Sequence, residues 1–158
     1  MLCSLGIQAR DRTAMAFSNH WALADGTLND KPIEIRYRDQ ILNEQESGEY
    51  GQCVQIAWNA ESSDPVTGFP SVEEMNQIDA FNQRLMEVVE ADEHGILVMV
   101  LTSQGINQWI LYCRDLEQTQ QDLNRIPTDQ GLYPIEVVAE EDSAWETFTQ
   151  LRDAIKAH

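Results

Sequence analysis

Basic residues are scarce in this chain: ten Lys and Arg stand against 27 Asp and Glu, a formal charge of −17 over 158 residues. The shortage is even. Through Asp79 the ratio is five to thirteen, and beyond it five to fourteen. Such a surface repels phosphate backbones and anionic membranes and favours solubility or a basic partner. A solvated face with no electrostatic task is the ordinary alternative. Cysteine is also rare. Cys3, Cys53 and Cys113 are odd in number and show no CxxC spacing, which speaks against a disulfide framework or a zinc site. Cys53 and Cys113 fall inside strand-like runs, where a thiol packs as a small hydrophobe. Long apolar runs are missing too. The longest, Ile96 to Leu101, is far short of a membrane span. The opening MLCSLGIQARDRTAMAF is interrupted by Gln8, Arg10, Asp11 and Arg12, too weak a pattern for a signal peptide. A reduced, cytoplasmic setting is the expectation.

The common catalytic signatures are absent as well. There is no GxxxxGKS/T, GxGxxG, HExxH or GxSxG, so the usual phosphate, zinc and acyl-transfer patterns are missing. His20 lies on a strand, His94 beside Gly95 and His158 at the end, and spacing does not unite them. A pairing of His20 with Cys53 or Cys113 has no positive support. No cofactor is expected.

What is present is periodicity. Residues 1–14 show none, and are expected to form a flexible extension before a single domain over 15–158. Phe17, Trp21 and Leu23 alternate with His20 and Ala22, Asp25-Gly26 predicts a turn, and Ile33, Ile35 and Tyr37 alternate with Glu34, Arg36 and Arg38. Residues 39–50 read as a polar loop, and Gln52 to Trp58 as a strand. Ser71-Val72-Glu73-Glu74 is a capping box. Behind it Val72, Met75, Ile78, Phe81, Leu85 and Val88 or Val89 predict an amphipathic helix that Gly95 stops. Ile96 to Leu101 is apolar on both faces, a strand covered on both sides. After Gln104-Gly105, Trp109, Leu111 and Cys113 alternate with Gln108, Ile110 and Tyr112. Asp115 caps a short helix with Leu116, Leu123 and Ile126 inward, closed by Pro127. Tyr133 to Val138 is the last strand. Ser143-Ala144-Trp145-Glu146 reads as a second capping box, opening a helix lined by Trp145, Phe148, Leu151 and Ile155.

From Gln52 to Val138 the order is β-α-β-β-α-β. That predicts an α+β protein with a ferredoxin-like core, preceded by an N-terminal β-hairpin and followed by a C-terminal helix. In such a core Gln52–Trp58 and Ile106–Cys113 are central neighbours, and Ile96–Leu101 needs cover from the hairpin or a second subunit. Sheets of this kind often bind RNA, using aromatics flanked by basic residues. Here Trp109 and Tyr112 point to opposite faces and no basic residue precedes Arg114, so nucleic acid is not an expected partner.

Two clusters carry candidate chemistry. Arg36 and Arg38 share the polar face of one strand and could hold a carboxylate or phosphate, with cross-strand pairing to acids as the structural alternative. Glu140, Glu141 and Asp142 gather three charges ahead of Trp145, which could anchor a basic partner steered by the carboxylates. The competing reading turns Trp145 inward with Phe148 and Leu151 and leaves the acids to stabilise the helix start.

The chain resembles the bacterial domain-of-unknown-function 695 family. The resemblance rests on Ile33-Glu34-Ile35-Arg36-Tyr37-Arg38, Val54-Gln55-Ile56-Ala57-Trp58, Gly68-Phe69-Pro70-Ser71, Trp109-Ile110-Leu111-Tyr112 and Glu141-Asp142-Ser143-Ala144-Trp145, and spans about residues 17 to 150. It implies no activity and no catalytic residues. A fainter similarity, on acidity, predicted topology and the acids before Trp145, is to the acidic protein inhibitor of RNase E. The expected function is a non-catalytic binding or regulatory module acting on another protein, a basic one among the candidates, with a homodimer left open and no membrane partner. The alternative is an enzyme holding an anionic group on Arg36 and Arg38. A concave pocket with convergent polar groups would favour the enzyme, and a shallow apolar patch rimmed with charge the interaction module.

Overall fold

The computed structural model describes residues 17–127 and 133–156. Six strands form one antiparallel sheet: β1 (Trp21–Leu28), β2 (Lys31–Arg38), β3 (Gln52–Asn59), β4 (Gly95–Ser103), β5 (Ile106–Cys113) and β6 (Ile135–Glu141). Their spatial order is β1-β2-β4-β5-β3-β6. The helices are α1 (Leu42–Glu46), α2 (Val72–Val89), α3 (Leu116–Asn124) and α4 (Glu146–Lys156). The protein is thus α+β. β3 and β5 are central neighbours, β4 lies beyond β5, and β2 covers the far edge of β4. None of the described helices is long and apolar enough to cross a membrane.

The sheet carries a core on each face. On one, Val54, Ile56, Trp58, Trp109 and Leu111 meet Ile78, Phe81, Leu85 and Val89 of α2. On the other, Cys53, Ile96, Met99, Ile110 and Tyr112 meet Ile41, Tyr50, Trp145 and Phe148. β4 serves both. Leu97 pairs with Leu111 and Met99 with Ile110, so Val98 is an extra residue. This bulge turns both Val98 and Met99 onto the second face.

Several sequence expectations need correction. Asp25-Gly26 is not a turn: β1 continues to Leu28, and the chain reverses at Asn29 and Asp30, with φ of 54° and 65°. Both side chains tolerate the left-handed region that a two-residue hairpin turn requires. Residues 39–50 are not merely a polar loop, since they include α1 and bury Ile41 and Tyr50. Val72 and Leu116 point outward, because each lies in the first turn of its helix, ahead of the face in contact. α3 buries Thr119 and Asp122 instead. Gly95 does not stop α2, which ends at Val89; it opens β4, where a Cβ would come within 2.9 Å of Val89 Cγ1. Ser143 is not the cap of α4. The carboxylate of Asp142 takes that role, accepting from the Glu146 and Thr147 amides at 2.8 and 3.1 Å. The expected extension over 1–14 lies outside the described residues.

Candidate functional site

β1 and β2 extend the sheet past its helical layer. Among the residues packed into the first core, Trp21 is the only contribution from this ribbon. The strip between the ribbon and α2 therefore remains open as a cleft of about 500 Å³. Register fixes its floor. One cross-strand row runs Leu23–Arg36–Val100–Trp109 and the next Asp25–Glu34–Thr102–Asn107. Met75, Ile78, Asp79 and Asn82 of α2 form the wall. A second hollow of about 350 Å³ shares Arg36 and Asn82 with the first and adds Trp21, Arg38 and Glu90.

The structure separates the two arginines. Arg38 is buried, and its guanidinium donates to both carboxylate oxygens of Glu90 at 3.0 and 3.4 Å. Its Cζ lies 4.8 Å from the centre of the Trp21 ring. Glu90 Oε2 also accepts from the Leu97 amide at 3.0 Å, so this buried ion pair pins the end of α2 to β2 and β4. The partner is the acid that follows the last turn of α2, not the cross-strand acid that alternation suggested. Arg36 is exposed. Its Cζ sits 6.0 Å from the Trp21 ring centre, and it makes no hydrogen bond or ion pair among the described residues.

The floor adds fixed polar groups. Asn107 is fully buried, and its Oδ1 accepts from Thr102 Oγ1 at 2.7 Å. Its Nδ2 has no partner among the described residues, and an orphaned buried donor is costly enough to call for an explanation. Asn82 Oδ1 accepts from Trp109 Nε1 at 2.8 Å, which leaves its amide nitrogen facing Met86 Sδ at 3.8 Å, a weak acceptor. These groups can recognise a ligand through charge and directed donors. Sequence reasoning named Arg36 and Arg38 but missed Asn82 and Asn107. A signal existed: each interrupts an apolar stripe, Asn82 beside Ile78, Phe81 and Leu85, and Asn107 two residues before Trp109.

The acidic cluster is divided in the same way. Glu140 and Glu141 stay exposed on the edge strand β6. Trp145 is buried, stacked 4.3 Å from Tyr112, and its Nε1 donates to the Tyr50 carbonyl at 2.8 Å. It therefore faces the core and offers no surface anchor. Burial would raise the Asp142 carboxyl, but the Thr147 amide, the Tyr112 hydroxyl at 2.7 Å and the Glu146 amide outweigh it and hold the group below its usual range. Burial pushes the Cys53 thiol up to about 11 and raises Cys113 too; both are poor nucleophiles. His20 is exposed beside Asp39. His94 Nδ1 lies 3.0 Å from the buried Asp122, which also takes Gln118 and Arg125. No group of His, Cys, Asp and Glu among the described residues could hold a metal ion.

No curated protein and no solved structure matches this chain, and the similarity to the inhibitor of RNase E is not shown. A family model does match, over residues 19–151. That stretch holds all six strands and both walls of the Arg36 cleft, and the chain belongs to the family of unknown function DUF695.

Proposed function

We propose that this protein is a cytoplasmic binding module, and that the cleft between α2 and the β1–β2 ribbon is its working surface. The observation that carries the reading is Arg36: an exposed guanidinium without an ion-pair partner among the described residues, in a chain where acids outnumber bases almost three to one. In so acidic a protein a free guanidinium has many candidate carboxylates, so its isolation at the mouth of a cleft suits a carboxylate brought by a ligand. Trp21 beside it supports recognition of an anionic group by stacking against the guanidinium, and Asn82 and Asn107 line wall and floor. The lining offers donors, carboxylates and apolar surface, a set that suits binding better than turnover. A partner protein presenting such a group is one source of the ligand, and a small molecule carrying it is the other. We also read β3 through β6, with α2 and α3, as a ferredoxin-like core; the antiparallel order β4-β5-β3-β6 supports it.

Acetate and benzoate titrated into isotopically labelled protein test the site by nuclear magnetic resonance. Perturbation of the Arg36 side-chain and Trp21 indole signals is expected, and its loss in Arg36→Gln. Equal perturbation in that variant, or none in the wild type, would overturn the reading.

A further inference from the structure

The charge around Arg36 narrows the ligand further, given that the cleft is a binding site. Asp25 and Glu34 face each other in the row next to Leu23 and Arg36, and Asp79 stands on the α2 wall. The cleft of about 500 Å³ is thus lined by one cation and three carboxylates, while Arg38, in the neighbouring hollow, is already paired with Glu90. A dianionic phosphate brought to Arg36 would sit among those acids, inside the field of a molecule carrying −17. A ligand with one carboxylate and one ammonium meets the opposite situation, since each end finds a counter-charge.

Register gives the spacing. Arg36 and Glu34 are two residues apart on one strand face, a separation of about 7 Å. Two extended residues span about the same length. Leu23 and Val100 flank Arg36 in its own row, and Met75 and Ile78 stand on the α2 wall; together they suit an apolar side chain. Asn107, on the floor, is buried, and its Nδ2 has no partner among the described residues. The volume of about 500 Å³ is in the range of small-ligand sites.

We infer that the cleft binds a zwitterion of dipeptide size, its carboxylate on Arg36 and its ammonium among Asp25, Glu34 and Asp79.

Calorimetric titration with alanyl-leucine, its N-acetyl form, its C-amide and inorganic phosphate tests this on the full chain. The free dipeptide is expected to bind, with acetylation or amidation each weakening it by about tenfold or more. Arg36→Gln should abolish the preference for the free carboxylate. Glu34→Gln should reduce the preference for the free ammonium while leaving the melting temperature unchanged, because the side chain is exposed. If acetylation costs nothing, or phosphate binds as well in an Arg36-dependent way, the zwitterion is wrong and the anion site stands. If none of the four probes binds in a way that depends on Arg36, both readings fall.

Discussion

Glu74 is almost closed off from water and collects donors from three residues around it. Trp58 Nε1 reaches Oε2 at 2.8 Å, the amides of Glu61 and Ser62 approach at 2.8 to 3.0 Å, and Ser62 Oγ lies at 3.1 Å. The capping box is therefore only half formed. Ser71 Oγ accepts from the Glu74 amide, but the carboxylate turns away from Ser71 and ties the 61–62 loop to the core instead. Desolvation alone would raise this carboxyl, yet the hydrogen bonds outweigh it and hold the group below its usual value. A carboxyl lowered in the folded state binds fewer protons there than in the unfolded chain. Its contribution is therefore complete above about pH 4.3 and is lost as the pH falls below that value. Glu74→Gln would set an amide NH₂ against donors and should cost about 2 kcal/mol at neutral pH, measured by urea unfolding. Its deficit should shrink on acidification toward pH 3, while Asp142, lowered in the same direction, keeps some acid sensitivity in both proteins. A deficit independent of pH would show that packing, not charge, explains Glu74. The same residue shows what a sequence reveals of a site. The pattern S-V-E-E announces a helix start, but not which direction the second carboxylate faces, because that depends on Trp58 arriving from another strand.

At the scale of elements, alternation and three-four spacing were enough to locate all six strands and three of the four helices. What they could not show is where pairing ends. Asp25-Gly26 has the residues of a turn, yet eight continuous pairs between β1 and β2 hold it in the strand, and reversal is left to Asn29-Asp30. Short α1 was hidden in a polar stretch because its own helix residues are all at least partly exposed, while its anchor Ile41 lies just ahead of it. The cleft was half legible for a related reason. Arg36 and Arg38 alternate alike, but only the tertiary placement of Glu90 neutralises one and not the other. The hairpin turn offers a direct test. Asp30 has φ of 65°, where a side chain is strained and glycine is not. Asp30→Gly should stabilise the fold by up to about 1 kcal/mol, read as a higher urea midpoint with unchanged slope. A lower midpoint would mean that the Asp30 side chain contributes more than its backbone strain costs.

Over the whole molecule the governing fact is a surplus of acids. Even if each of the ten cations had its own carboxylate, 17 of the 27 acids would remain unmatched. Several cations also sit in the interior or on its rim, where they hold elements together and do little to dilute the surface field. Arg38 joins β2 to the end of α2, and Arg114 joins Glu49 and Tyr50 to the start of α3. Folding therefore brings unmatched carboxylates closer than they are in the extended chain, and their repulsion opposes the compact state. The interaction range is about 30 Å at 0.01 M salt and about 8 Å at 0.15 M. At low ionic strength nearly every carboxylate on a domain of this size senses most of the others; near physiological salt it senses its neighbours alone. Salt also weakens ion pairs, but the buried Arg38–Glu90 pair is shielded from it and exposed pairs contribute little. Repulsion is thus the larger effect, and the melting temperature should rise by a few degrees between 0.01 and 0.15 M potassium chloride, equivalent to about 1 kcal/mol. Chloride is the suitable anion, since sulfate would strengthen apolar burial independently. A melting temperature that falls with added chloride would mean that attractive pairs outweigh the acidic surplus, and that the isolation of Arg36 carries no electrostatic meaning.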